Sequence, residues 1–242
     1  MIKLERIGKS YGSVNLFKDF SVDFPAGKIT SVLGPSGCGK TTILKIILGL
    51  TDYTGKVIDQ ENKKTFSAVF QEHRLLPWMS VHDNILFVLK DKNGEREKDN
   101  ALNLAETAGL SPFLNYFPHQ LSGGLKQRTA LVRAFSFKSD YLLMDEPFSH
   151  LDIKIKSVLM KLFKNLWEKD RRGVIMVTHN IDEAVELSDR IYLIDSPPSE
   201  KAFLIDLNEK LLSGEDRKTT LFRVRENIYE KFISSSLSQE SD

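Results

Sequence analysis

The stretch Gly34-Pro35-Ser36-Gly37-Cys38-Gly39-Lys40-Thr41, with Thr42 behind it, constrains this chain more than any other, because it satisfies G-x-x-x-x-G-K-[ST] at every position. Each residue type has a chemical reason. Glycines let backbone N–H groups turn inward around phosphate oxygens, Lys40 neutralises charge on the β- and γ-phosphates, and the Thr41 hydroxyl can ligate Mg2+. The apolar run 29–33 predicts a buried strand before the loop, and residues 42–48 predict a helix whose positive N-terminal end faces the anion. Such a loop marks a nucleoside triphosphate site and by itself leaves the reaction open.

At 242 residues the chain can bury a large core, and its length suits one domain carrying an inserted lobe. Lys and Arg total 34 against 33 Asp and Glu, a formal charge of +1 that offers no electrostatic case for nucleic-acid binding. One cysteine excludes an intrachain disulfide framework and suits a reducing cytosol, and the polar start at residues 1–6 lacks the apolar core of a signal peptide. No stretch approaches the roughly 18 apolar residues of a membrane span, so a membrane role is expected only through a partner.

Residues 1–7 and 22–24 read as strands flanking a loop that holds Tyr11, with Pro25-Ala26-Gly27 as the next turn. An aromatic there can stack on adenine or pack a loop against the sheet, and position alone leaves both open. Strand-like residues 55–58 and 65–70 lead into Gln71 and then Leu75, Leu76, Pro77 and Trp78, either an apolar patch for a partner or a loop anchored in its own core. From 81 to 108 two helical apolar clusters flank the charged stretch 90–99, which reads as a solvated loop and helix face. An inserted helical lobe reaching Phe117 is expected.

Ser122-Gly123-Gly124 opens an amphipathic helix, as a simple N-cap or as a second phosphate-binding helix end. The apolar strand 141–144 ends in Asp145-Glu146-Pro147. Beside a phosphate loop, Asp145 suits Mg2+ binding and Glu146 suits activation of the attacking water. Residues 155–167 carry a core-packing helical stripe, and strand 173–177 ends in Thr178-His179, where ligands gather in open parallel sheets. A helix over 180–187, a strand over 190–194 and a break at 196–199 follow. The remainder reads as subsidiary: one amphipathic helix within 215–232 and a frayed polar tail at 234–242.

These pieces, in this order from about residue 2 to 194, resemble the ATP-binding cassette family, the motor subunits of ABC transporters. GPSGCGKTT looks like the Walker A loop, Gln71 the Q-loop glutamine, LSGGLKQR the family signature, YLLMDEP the Walker B strand, Ser149 to Asp152 the D-loop and His179 the switch histidine. The signature separates this family from kinases and GTPases that share the phosphate loop. The resemblance implies an α/β P-loop NTPase fold with a RecA-like core, an antiparallel β-subdomain and an inserted helical subdomain over about residues 72–135. A single ATPase domain is expected over 1–242, with a short tail from about 197 to 242.

By the same resemblance Tyr11 stacks on adenine and Gly34, Pro35, Ser36, Gly37, Cys38, Gly39, Lys40, Thr41 and Thr42 surround the phosphates of ATP. Thr41, Gln71 and Asp145 serve Mg2+, Glu146 and His179 serve the γ-phosphate, and Ser122, Gly123 and Gly124 close over the ATP of a second copy, in a homodimer. The segment 73–84 and Tyr116 to Gln120 look like the nitrate, sulfonate and taurine importer group. That implies permease subunits as partners, an extracytoplasmic substrate-binding protein acting indirectly, and a peripheral place on the cytoplasmic face of the membrane. An exporter ATPase or a soluble cassette acting on nucleic acid remain the alternatives. His150 and Asn180 depart from the family's usual small residue and Asp, and Cys38 offers a thiol whose alkylation is expected to affect ATP binding.

Overall fold

The structure, a computed structural model, describes residues 1–59, 64–89, 94–207 and 216–239. In chain order its elements are β1 (Ile2–Tyr11), β2 (Val14–Phe24), β3 (Ile29–Leu33), α1 (Lys40–Ile47), β4 (Thr54–Asp59), β5 (Phe66–Val69), α2 (Val81–Leu86), α3 (Glu95–Thr107), α4 (Gly123–Ser136), β6 (Tyr141–Asp145), α5 (Ile153–Asp170), β7 (Gly173–Thr178), α6 (Ile181–Leu187), β8 (Arg190–Ile194), β9 (Ala202–Asp206) and α7 (Arg217–Gln239). They divide into two units, Met1–Lys64 with Gly173–Asp242, and Thr65–Arg172.

In the first unit β1 pairs antiparallel with β2 and β4. The loop expected between residues 7 and 22 is instead a hairpin, and Tyr11 closes β1 opposite Val14. Register shifts interrupt the pairing, and Arg6 and Asp19 take positive φ of 52° and 57°, which breaks the alternation that would announce both strands. Strand β3 pairs in parallel with β7 and with β8. Every residue of β3 and β7 is buried, as their unbroken apolar runs require of strands covered on both faces. The register sets Leu33 beside Thr178, so the phosphate loop and His179 leave the sheet at the same edge.

The tail expected over about 197–242 carries packed elements among its described residues. β9 adds antiparallel to β8, and α7 buries Val224 and Ile228 among Leu33, Ala184, Val185, Ile191 and Leu193. Burial of each such side chain contributes about 1.5–3 kcal/mol. The helix also runs on to Gln239, through much of the stretch expected to fray; residues 208–215 and 240–242 lie outside the described residues.

In the second unit β5 and β6 pair in parallel, from Phe66 opposite Tyr141 to Val69 opposite Met144. The Asp140 carboxylate fixes that register by accepting from Thr65 N–H and Oγ at 2.8 and 2.9 Å. Of the charged stretch 90–99, residues 90–93 lie outside the described residues, and 94–99 are exposed. Helix α4 packs against α2, α3, α5 and β5. Its last turn leaves carbonyls without helical partners, and the buried Arg172 guanidinium supplies them: it donates to Ala134, Phe135 and Phe137 oxygens at 2.8–3.2 Å and to the Ser67 and Ser139 hydroxyls.

Candidate functional site

Strand β3 releases the chain into the phosphate loop, whose glycines have separate reasons. A Cβ on Gly34 would lie 2.6 Å from the Ile194 oxygen and 2.7 Å from Cys38 Sγ. Gly37 and Gly39 take φ of 82° and 104°, backbone that side chains rarely adopt. Gly39 stands at the N-cap of α1 and no side chain caps the helix there. Its first-turn N–H groups therefore suit an anion, reinforced by the helix dipole. The Lys40 ammonium, buried in this loop, donates to the Gly34 and Pro35 carbonyls at 2.9 and 2.8 Å.

Pro35, Ser36, Gly37 and Thr41 are exposed, whereas Thr42 is buried. Cys38 turns inward: its side chain is fully buried and its N–H donates to the Pro35 oxygen at 3.4 Å. Burial pushes its thiol pKa up, which lowers the share of the reactive thiolate. Tyr11 keeps 47% of its surface, and the Lys9 ammonium lies 4.5 Å from its ring centre. Hydrogen bonds from the Thr51 and Thr42 hydroxyls lower its pKa, which puts the phenol beside the first turn of α1.

His179 is exposed just past β7. The turn carrying it is fixed by Thr178 Oγ1, which donates to the buried Glu183 carboxylate at 2.8 Å and accepts from Asn180 N–H at 3.0 Å. Asn180 caps α6 by accepting from Glu183 N–H at 3.0 Å, a task that Asp performs equally well. Asn-x-x-Glu before an apolar run is a capping-box pattern, a legible signal for Glu183 that the reading of residues 180–187 did not use.

In the second unit, the β5 and β6 register brings Gln71, exposed two residues past Val69, to the same edge as Asp145 and Glu146. Glu146 has φ of 48°, and its carbonyl accepts from Ser149 N–H at 3.2 Å and Ser149 Oγ at 2.9 Å. Non-glycine residues seldom adopt that region. Among the described residues no three or more His, Cys, Asp or Glu side chains form a metal-holding cluster. The Thr41 hydroxyl and the Asp145 carboxylate are each hard oxygen donors of the kind that Mg2+ takes alongside phosphate and water.

Ser122 caps α4, accepting from Leu125 N–H at 3.4 Å. Gly124 is required by contact: a Cβ there would lie 2.9 Å from Ile155 Cγ2. Half-buried His73 stands near this turn, its pKa lowered first by burial and then by the Lys126 ammonium. Leu75 and Leu76 are half-buried and Trp78 is 69% exposed. Asn84, fully buried, holds this loop from within: its oxygen accepts from Leu76 N–H at 2.8 Å, and its amide donates to the oxygens of Leu76, Met79 and Ser80 at 3.0–3.1 Å. Arg133 donates to the carbonyls of His73 and Arg74.

Residues 17–149 match the ABC transporter family. The aliphatic sulfonates import ATP-binding protein SsuB of Bacillus anthracis is 37% identical over 243 residues, covering 96% of this chain and 94% of that protein. SsuB 2 of Pseudomonas syringae pv. tomato is 40% identical over 198 residues, 81% of this chain and 82% of its own. Among solved structures, the dimeric bacterial ABC transporter cassette MJ0796 superposes with a TM-score of 0.72 at 30% identity, over 85% of this chain and 98% of that one. A post-hydrolysis state of the same cassette, bound to ADP and Pi, gives 0.68 at 31% identity over 83% and 98%. The chain therefore belongs to the ABC transporter family, as one of its ATP-binding, ATP-hydrolysing cassettes with the α/β P-loop fold.

Proposed function

We propose that this chain powers the uptake of an aliphatic sulfonate, or a chemically related small anion, through separate permease subunits. The observation that carries the substrate class is identity of 37% across nearly the whole length of relatives named for aliphatic sulfonate import. The exposed Trp78 with Leu75 and Leu76 supports a permease contact, in keeping with a peripheral place on the cytoplasmic face of the membrane. A substrate-binding protein on the other side presents the solute to the permease and touches this chain only indirectly.

In the proposed cycle the phosphate loop and Lys40 hold the triphosphate, and Tyr11 stacks on adenine. Ser122, Gly123 and Gly124 of a second copy complete the site. Glu146 takes a proton from water as the water oxygen attacks the γ-phosphorus. The bond to the bridging oxygen breaks, releasing ADP and inorganic phosphate. His179 hydrogen-bonds the γ-phosphate, and Gln71 links the site to the permease. Mg2+, held through Thr41, Asp145 and Gln71, would offset the phosphate charge.

The test is uptake of a labelled alkanesulfonate by cells that lack the chain's gene, with and without the gene restored. Uptake should return with the intact chain and fail with Lys40→Ala. Restored uptake of unrelated sugars or peptides, with no sulfonate transported, would overturn the substrate class.

A further inference from the structure

The proposed cycle gives no task to Gln127, although its side chain is 2% exposed and its amide Nε2 donates to the Pro147 carbonyl. Pro147 directly follows Glu146, the carboxylate read as activating water, whose backbone is left-handed. A strained residue keeps that conformation only when its surroundings over-determine it. Ser149 holds the Glu146 carbonyl through both its N–H and its hydroxyl, and Phe148 is buried against Phe163. Gln127 adds a further hold, and it comes from α4.

Helix α4 begins at the Ser122 cap, and Gln127 shares a face with Gly124, the residue whose missing Cβ lets α4 seat on Ile155 of α5. Movement of the Ser122 end along the helix axis therefore reaches Pro147 directly through the Gln127 side chain, within a single unit of the chain. We infer that Gln127 is a positioning residue for Glu146, which couples the signature end of α4 to the backbone that aims the carboxylate. The inference rests on the reading of Glu146 given above. Since the signature end meets ATP held by a second copy, occupancy of one site would set the geometry of hydrolysis in the other.

The test uses the purified full-length chain. Gln127→Met keeps the length of the side chain and removes its donor, and should lower kcat for ATP about tenfold or more while leaving KM within twofold. ATP-driven dimerisation, measured in a Glu146→Gln background, should persist. Gln127→Asn withdraws the amide by one methylene and gives the same split through a milder change. Thr129→Val, which removes the buried bond from Thr129 Oγ1 to the Leu125 oxygen on the same helix, serves as the stability control and should keep kcat. Normal kcat in both Gln127 variants, with turnover lost in Glu146→Gln, would overturn this inference alone. Equal loss of kcat in Thr129→Val would reduce Gln127 to a packing role and overturn it too. Turnover retained by Glu146→Gln would overturn the reading of Glu146, and this inference with it.

Discussion

The two helix N-termini that the proposed cycle gives to phosphate are built differently. Helix α1 starts at a left-handed glycine with no side-chain cap, and a buried ammonium occupies the loop in front of it. Helix α4 starts at Ser122, whose hydroxyl already caps the Leu125 N–H, and its Gly124 lies against Ile155 of α5. The first is a cradle that surrounds a phosphate chain; the second is a surface that can only be laid against one. An uncapped turn with its own cation binds alone, whereas a capped one needs the phosphate presented to it. That asymmetry suits the proposed sharing of the site between two copies.

The sharpest way to break the comparison is to stop hydrolysis while leaving both ends intact. Glu146→Gln should reduce turnover by about 10^2 to 10^4, yet retain ATP and accumulate a dimer visible by size-exclusion chromatography. Near-normal turnover would contradict the assignment. Lys40→Ala attacks the cradle itself: hydrolysis should fall by at least about 10^2 with loss of nucleotide binding, read by fluorescent ATP titration. Ser122→Ala attacks the surface instead. It should cost about 1 kcal/mol of stability through the lost cap and weaken ATP-driven dimerisation, while ATP binding to the monomer stays unchanged. Equal loss of monomer binding in the two variants would erase the distinction between the ends.

The smallest expected effect concerns His73, near the signature turn. Its folded pKa lies below the unfolded value of 6.5, since burial and Lys126 disfavour the imidazolium. A depressed pKa means that the unfolded chain binds the proton first, so stability is complete above 6.5 and declines as pH falls toward the folded value. Thermal melts of the wild type and His73→Gln between pH 7.5 and about 5 should diverge in that direction only. A wild-type curve no steeper than that of the variant would remove His73 from the account.

Much of this was legible before folding. The phosphate loop, the acidic strand end and the signature are contiguous, so chemistry alone fixes their residue types. What stayed hidden depends on partners distant in sequence. Arg172 reads as one charge among many until it meets carbonyls more than 30 positions away, and the bond from Gln127 to Pro147 spans 20. The first hairpin was obscured because the irregular backbone at Arg6 and Asp19 breaks the alternation of β1 and β2. The C-terminal segment looked like a tail because β9 exposes Phe203 and Leu204, leaving no clear alternation, and because few of the described side chains of α7 are buried.

The loop from Leu76 to Ser80 has a consequence for association kinetics. Asn84 uses its carbonyl and its amide to hold four backbone groups there, so Trp78 is displayed on a segment with little ordering left to undergo. In the proposed permease contact an arriving helix would meet a rigid anchor, and the usual conformational penalty of loop docking would be small. Loosening that knot by Asn84→Ala would leave Trp78 in place chemically but slow the formation of productive encounters, a change in the on-rate for a surface whose contacts are unaltered.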